Sequence, residues 1–140
     1  MNIIKTLMVG AFSMTALTMA AAEVQQNGNK VMVKPDGGQA KVICLEVMND
    51  NIIRVRATSE SALPVKKPSL MIVPQIAPAK NNYTISEDEQ SVIVKAKNVT
   101  AVVNKATGAI VFFDATGKQL LKEAKDGKKF QNFTVPEREY

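Results

Sequence analysis

Much of the sequence consists of short segments in which apolar residues alternate with polar ones. In one segment Val92, Val94 and Ala96 alternate with a face that carries Lys95 and Lys97. A period of two with one polar face is typical of antiparallel strands that lie on a core. The pattern predicts strands at Val31–Lys34, Ala40–Met48, Ile52–Thr58, Leu70–Pro74, Tyr83–Ser86, Ser91–Lys97, Val99–Asn104, Ala109–Asp114 and Gln119–Glu123.

Turn-forming residues separate these segments at short intervals. After residue 22, no segment keeps a helical period over ten residues. Examples are Pro35-Asp36-Gly37-Gly38 and Asn49-Asp50-Asn51. Short strands at this spacing indicate an all-β fold, an antiparallel β-sandwich. Four prolines between Leu63 and Ala79 make the Leu70–Pro74 strand short and peripheral in this prediction.

The stretch NKATGAIVFFDATGKQLLKE at residues 104–123 holds two Ala-Thr-Gly turns. Its Gly-Lys pair lacks the spacing of a phosphate loop, because Phe112 stands where the first glycine belongs and Gln119 follows Lys118. Asp114 ends a strand before a turn, where an aspartate commonly bonds to the turn backbone. We therefore predict two consecutive hairpins, with Gly108 and Gly117 at positive φ and without catalytic chemistry.

Residues 1–22 have the pattern of a secretory signal peptide. Lys5 precedes an apolar stretch from Leu7 to Met19, and Ala20-Ala21-Ala22 follows. The stretch is too short and too rich in small and polar residues for a stable membrane span. We expect cleavage near Ala22 and an exported, periplasmic or extracellular mature chain beginning at Glu23, soluble and without a membrane anchor.

Composition excludes several classes of function. The chain has no histidine, so triads built on histidine are excluded and a zinc site is improbable. The net charge of +5 comes from scattered lysines and tryptophan is absent, which argues against nucleic-acid binding. Cys44, the single cysteine, has no partner for an internal disulfide and is expected to be a small buried hydrophobe. We predict no catalytic, cofactor-binding or metal-binding residue and no cofactor.

A sandwich requires both sheets, because the apolar face of each sheet must be covered. We expect five side chains to need such cover, namely Val55, Val94, Val103, Val111 and Phe113.

The order of three segments resembles a known family. They are NIIRVRAT at 51–58, KPSLMIV at 67–73, and the stretch from Val99 to Glu123. Together they are similar to the N-terminal, galactose-mutarotase-like β-sandwich of glycoside hydrolase family 31, in the form secreted by gut Bacteroidetes. This family opens with an I-I-R-V-R strand and later has a hairpin of the type K-x-T-G-x-x-x-F-x-D-x-x-G-K-x-L-L-x-E.

The resemblance implies a non-catalytic portion of an exported α-xylosidase or α-glucosidase that acts in carbohydrate breakdown. In the family the catalytic aspartates lie on a (β/α)₈ barrel that follows the sandwich, and such a barrel needs about 250 residues. We therefore expect residues 23–140 to be an incomplete sandwich, truncated before its barrel, with no residue inheriting a catalytic role. Its implied partners are that barrel, which it would brace, and an oligo- or polysaccharide at the sugar pocket that it would border.

The alternative is a stand-alone exported β-sandwich for carbohydrate binding or adhesion. Sugar-binding platforms usually present exposed aromatic side chains. Phe112 and Phe113 alternate, so one of the two must face away from the core unless a second layer covers it. The aromatic candidates are Tyr83, Phe112, Phe130, Phe133 and Tyr140.

Overall fold

The computed structural model describes residues 22–65 and 82–133. Within these ranges the chain forms strands and turns, and no helix there is long and apolar enough to cross a membrane. The predicted Leu70–Pro74 strand and nearly all of the predicted leader lie outside the described residues. The strands are β1 (Glu23–Asn27), β2 (Lys30–Lys34), β3 (Val42–Asn49), β4 (Ile52–Thr58), β5 (Thr84–Glu87), β6 (Ser91–Lys95), β7 (Val99–Asn104), β8 (Ile110–Asp114) and β9 (Gln119–Lys122).

The strands form two antiparallel meanders. The four-stranded sheet has the order β1-β2-β3-β4, and the five-stranded sheet has the order β5-β6-β7-β8-β9. Every pair of neighbours is consecutive in the chain, so short turns suffice for all the connections within each sheet. The predicted all-β antiparallel sandwich is confirmed, and the predicted strands in the described ranges are found to within about two residues at each end.

One strand was missing from the sequence prediction. β1 runs from Glu23 to Asn27 and pairs with β2 in the register Glu23↔Lys34 to Asn27↔Lys30. Val24 is its only apolar residue and packs against the core, while the other four residues are exposed. An edge strand with a single inward residue has no alternation to detect.

The core lies between the two sheets and consists mainly of β-branched side chains. Val31, Val33 and Leu45 contribute from the four-stranded sheet, and Val94 and Val103 from the other. All five side chains are fully buried. They lie at alternate positions of their strands, which is the period-two pattern seen in the sequence, and burial of this apolar area is the main stabilising term.

The expected roles of Val111 and Phe113 were wrong. β7 and β8 pair Val103 with Ile110 and Ala101 with Phe112, which places Ile110 and Phe112 on the core side. Val111 and Phe113 therefore lie on the opposite, outer face of the five-stranded sheet. The predictions for Val94 and Val103 are confirmed, and Val55 packs against the core while remaining only partly buried.

Candidate functional site

Asp114 closes a turn, as predicted from the sequence. Its Oδ1 atom accepts hydrogen bonds from the Thr116 amide at 2.8 Å, the Thr116 hydroxyl at 2.6 Å and the Lys118 amide at 3.0 Å. The hydrogen bond from the Thr116 side chain, followed by that from the Lys118 backbone, lowers the pKa of this carboxyl below its usual value. An exposed carboxylate held ionised by its own turn has a structural role.

The first Ala-Thr-Gly turn uses the same arrangement with an amide in place of the carboxylate. Oδ1 of Asn104 accepts from the amides of Ala106 and Thr107, both at 3.0 Å, and from the Thr107 hydroxyl at 3.2 Å. Gly108 and Gly117 have φ angles of 71° and 85°, which confirms the predicted positive φ at both. The two similar turns therefore have one structural function, which is to connect β7 to β8 and β8 to β9.

Within the described ranges, no group of three or more aspartate, glutamate or cysteine side chains is placed to hold a metal ion. The absence of catalytic and cofactor-binding residues stays a prediction.

The outer face of the four-stranded sheet carries an excess of positive charge beside β4. Glu46 is approached by Arg54 at 3.5 Å and by Lys30 at 3.9 Å, so one carboxylate faces two cations. The register Glu46↔Arg54 and Cys44↔Arg56 places both arginines on this face. Val55, which stands between them in the sequence, packs against the core on the opposite face.

Arg56 lacks a carboxylate partner in the described part of the chain. Its Nη2 atom lies 4.0 Å from the sulfur of Cys44, and its buried Nε atom has no hydrogen-bond partner. Cys44 is only 1% exposed, so the prediction of a buried cysteine is confirmed, although the residue lies outside the main core cluster on the outer face. A buried guanidinium nitrogen without an acceptor favours the approach of an anionic group.

A cavity of about 420 Å³ lies along β4. Phe130 forms part of its wall, and the Phe130 amide is held by a 2.7 Å hydrogen bond to Oε1 of Gln39. Leu63 borders this cavity and also a second one of about 310 Å³ over β2 and β3. The wall of the first cavity includes Arg54, Arg56, Thr58, Leu63, Pro64 and Phe130.

The core face is incompletely covered at the β8–β9 end of the five-stranded sheet. β4 lies against β7, and β8 and β9 continue beyond it. Leu121 is paired with Phe112 on the core side, yet Leu121 is 59% exposed and Phe112 is only partly buried. By contrast, Ile110 on the same face is fully buried.

The aromatic candidates are dispersed and do not form one platform in the described residues. Phe112 faces the core, and the Tyr83 hydroxyl donates to the Gly28 carbonyl while accepting from Gln26. Phe130 and Phe133 are exposed, whereas Tyr140 lies outside the described residues. Of the two alternating phenylalanines, Phe113 is therefore the one that faces away from the core. Sequence reasoning also missed the cavity beside β4, because long-range packing forms it.

Known structures resemble this chain over most of its length. A GH31 α-xylosidase from Xanthomonas citri is 32% identical, with a TM-score of 0.67 over 81% of this chain. A GH31 α-xylosidase from a soil metagenome, solved with xylose, is 29% identical, with a TM-score of 0.51 over 72% of this chain. This chain spans only 12% and 14% of those two enzymes, respectively.

A protein from Listeria monocytogenes shares the fold at 14% identity, with a TM-score of 0.54. The family described as the glycosyl hydrolase 31 N-terminal galactose mutarotase-like domain matches residues 42–139. Because this match spans well over half of the sequence and the two-sheet antiparallel architecture agrees with it, the chain belongs to the family of glycosyl hydrolase 31 N-terminal galactose mutarotase-like domains.

Proposed function

We propose that this chain is the non-catalytic N-terminal portion of an exported α-glycosidase of the α-xylosidase type, acting in carbohydrate breakdown. The observation that carries the proposal is the likeness to two α-xylosidases in which the matched region is a small part of a much longer enzyme. In this role the sandwich braces the catalytic barrel and borders its sugar pocket. Its own residues supply contacts to the barrel and no catalytic group.

The uncovered apolar surface supports a bracing role. On the core side of β8 and β9, Leu121 is 59% exposed and Phe112 is only partly buried, and Leu120, the preceding residue of β9, is 58% exposed. Contiguous exposed apolar surface commonly marks a site of contact with another protein surface. An adjoining domain that covered these side chains would gain roughly 25 cal/mol for each Å² of apolar area buried.

The experiment uses the chain and the catalytic portion encoded in frame downstream of the Tyr140 codon. We expect this DNA to encode a barrel with catalytic aspartates. The purified chain alone should release no nitrophenol from aryl α-xyloside or aryl α-glucoside. Adding the separately expressed barrel should give turnover that depends on the concentration of the chain.

Two results would contradict the proposal. Turnover by the chain alone that survives repurification would show that it is catalytic. A barrel whose activity and thermal stability do not change when the chain is added would exclude bracing and would favour the stand-alone module.

Export is a separate part of the proposal and has its own test. The Lys5 region, the apolar stretch and the three alanines support a leader that is cleaved after Ala22. We expect N-terminal sequencing of protein from the periplasm or medium to begin at Glu23. Recovery of an intact chain beginning at Met1 from the cytoplasm or the membrane would reject this.

A further inference from the structure

The cavity of about 420 Å³ has a wall with two different kinds of surface. Arg54 and Arg56 form a cationic part, and Leu63, Pro64 and Phe130 form an apolar part. The volume lies within the range of about 300–1,000 Å³ that is typical of sites for small molecules. Such sites combine apolar walls with a few polar groups that fix the orientation of the ligand.

The cationic part is short of negative charge. Lys30 and Arg54 share the carboxylate of Glu46, at 3.9 Å and 3.5 Å respectively. Arg56 has no carboxylate partner in the described residues, and its buried Nε atom has no hydrogen-bond acceptor there. A buried donor without an acceptor costs free energy. A carboxylate that entered the cavity would relieve this cost through charge-assisted hydrogen bonds.

The side chain of Arg56 is suited to receive such a carboxylate. Its Nη2 atom lies 4.0 Å from the sulfur of Cys44, and a thiol is a weak acceptor. Arg56 as a whole is only partly buried and lines the cavity. Because a guanidinium group is a planar fork of donors, it matches the two oxygens of a carboxylate better than a point charge does.

The apolar part of the wall favours a ligand in which the carboxylate is attached to a ring. Phe130 is 39% exposed, and its amide donates a 2.7 Å hydrogen bond to Gln39, which fixes the backbone that carries the aromatic ring. A small inorganic anion would leave this ring in contact with water. A sugar ring would pack its C–H groups against the ring and direct its hydroxyls toward Thr58 and Ser59, which also line the cavity.

We propose that this cavity binds a uronic acid residue of a saccharide, with the carboxylate on Arg56 and Arg54 and the sugar ring against Phe130. The choice of a saccharide rests on the proposed function, whereas the requirement for an acidic group follows from the arginines. Binding here cleaves no bond, so the chain itself is sufficient for the test.

The test uses ¹⁵N-labelled chain near neutral pH and three probes, which are methyl glucuronoside, methyl glucoside and acetate. The two glycosides differ only by a carboxylate in place of a hydroxymethyl group, and acetate has the charge without the ring. We expect methyl glucuronoside to shift the amide signals of residues 54–59 and of Phe130 with a Kd of about 1 mM. Methyl glucoside and acetate should each bind at least about tenfold more weakly.

Variants distinguish the two parts of the wall. Arg56→Gln removes the charge and should weaken glucuronoside binding about tenfold or more, without an effect on the glucoside. Arg54→Gln replaces this variant if circular dichroism shows that Arg56→Gln is unfolded. Phe130→Ala should weaken binding of both glycosides and leave acetate unchanged. Lys95→Gln is the matched control, because it removes one positive charge from the outer face of the other sheet, and it should leave all three affinities unchanged.

Four results would overturn the assignment of this cavity. They are no binding of the glucuronoside, equal binding of the two glycosides, equal binding of glucuronoside and acetate, and equal losses in Lys95→Gln and Arg56→Gln. Nuclear Overhauser effects between the Arg56 side chain and Glu137 or Glu139 would also overturn it, by giving the cavity an internal occupant. If the barrel and the chain form an active complex while the glucuronoside does not bind, the cavity assignment is wrong and the proposed function stands.

Discussion

The Cδ1 methyl group of Ile43 lies so close to Gly108 that a Cβ atom added to this glycine would be 2.6 Å from it. Pro35 closes the other side, with its Cγ atom 2.9 Å from the same position. The turn between β7 and β8 therefore packs directly against the four-stranded sheet. The glycine serves two purposes here, because it provides the positive φ of the turn and the space for this contact.

Alanine substitutions at the two turn glycines should distinguish the requirement for positive φ from the requirement for space beside Ile43. Gly117→Ala places a Cβ atom in open space. It should therefore lower the free energy of unfolding by about 1–2 kcal/mol, through the left-handed backbone conformation alone. Gly108→Ala should cost a further 1–3 kcal/mol or so, since Ile43 and Pro35 must move. Urea unfolding followed by circular dichroism measures both. Equal losses of stability would show that the contact with Ile43 is unimportant.

Sequence patterns predict the parts of this fold in which local and tertiary preferences agree. β7 alternates buried and partly buried residues without exception, and Asp114 bonds to its own turn as the motif indicates. Both features depend on residues within one hairpin. A single sequence is sufficient to predict them, because the period and the turn chemistry are local.

The features missed depend on contacts that are distant in the sequence. Residues 42–45 of β3 form a continuous apolar run, and all four are buried. Because the run has no polar alternation, the sequence does not indicate that Cys44 faces away from the main core. Phe112 and Phe113 are chemically identical, and only the pairing of β7 with β8 decides which one faces inward. The position of β4 at the end of the order β1-β2-β3-β4 among the described strands is likewise a tertiary feature, which no local pattern encodes.

The Asp114 turn makes stability depend on pH in a defined direction. The carboxyl of Asp114 has a pKa below its usual value in the folded chain, so its contribution to stability is present above the unfolded pKa and is lost as the pH falls through the folded pKa. Asp114→Asn retains an acceptor oxygen but cannot ionise. We expect wild type to exceed this variant in melting temperature near neutral pH, with the difference shrinking as the pH falls through the acidic range.

Thr116→Ala provides the control for this interpretation. The Thr116 hydroxyl is the largest cause of the lowered pKa, so its removal should raise the pKa of the Asp114 carboxyl toward the usual value. Carboxyl chemical shifts followed by nuclear magnetic resonance during acid titration measure this directly. An unchanged Asp114 pKa in the Thr116→Ala variant would contradict the assigned cause.

The labelling rate of the Cys44 thiol should measure local opening of the outer face of the four-stranded sheet beside β4. Because its thiol is buried and is the only one in the chain, reaction with an aromatic disulfide should be slow and limited by local opening. Arg56→Ala removes the guanidinium that lies 4.0 Å from the sulfur and should accelerate labelling by about tenfold or more. Lys95→Ala, on the other sheet, should leave the rate unchanged. Equal acceleration by both variants would indicate global destabilisation.

Two apolar residues on the core side of the five-stranded sheet differ in their burial and should differ in their contribution to stability. Ile110 is fully buried, so Ile110→Ala should reduce the free energy of unfolding by about 2–5 kcal/mol. Leu121 is 59% exposed, and Leu121→Ala should change it by no more than about 0.5 kcal/mol in the isolated chain.

The same exposure predicts how the isolated chain behaves in solution. With Leu120 and Leu121 exposed and β4 paired on one side only in the described ranges, the isolated chain should be marginally stable, bind hydrophobic dyes and tend to aggregate. Leu121→Glu should reduce dye fluorescence and the aggregated fraction in size-exclusion chromatography without loss of stability, because the charge replaces exposed apolar surface. If the wild-type chain instead remains a monodisperse monomer, shows little dye binding and melts sharply and reversibly above about 60 °C, it needs no partner to complete its core.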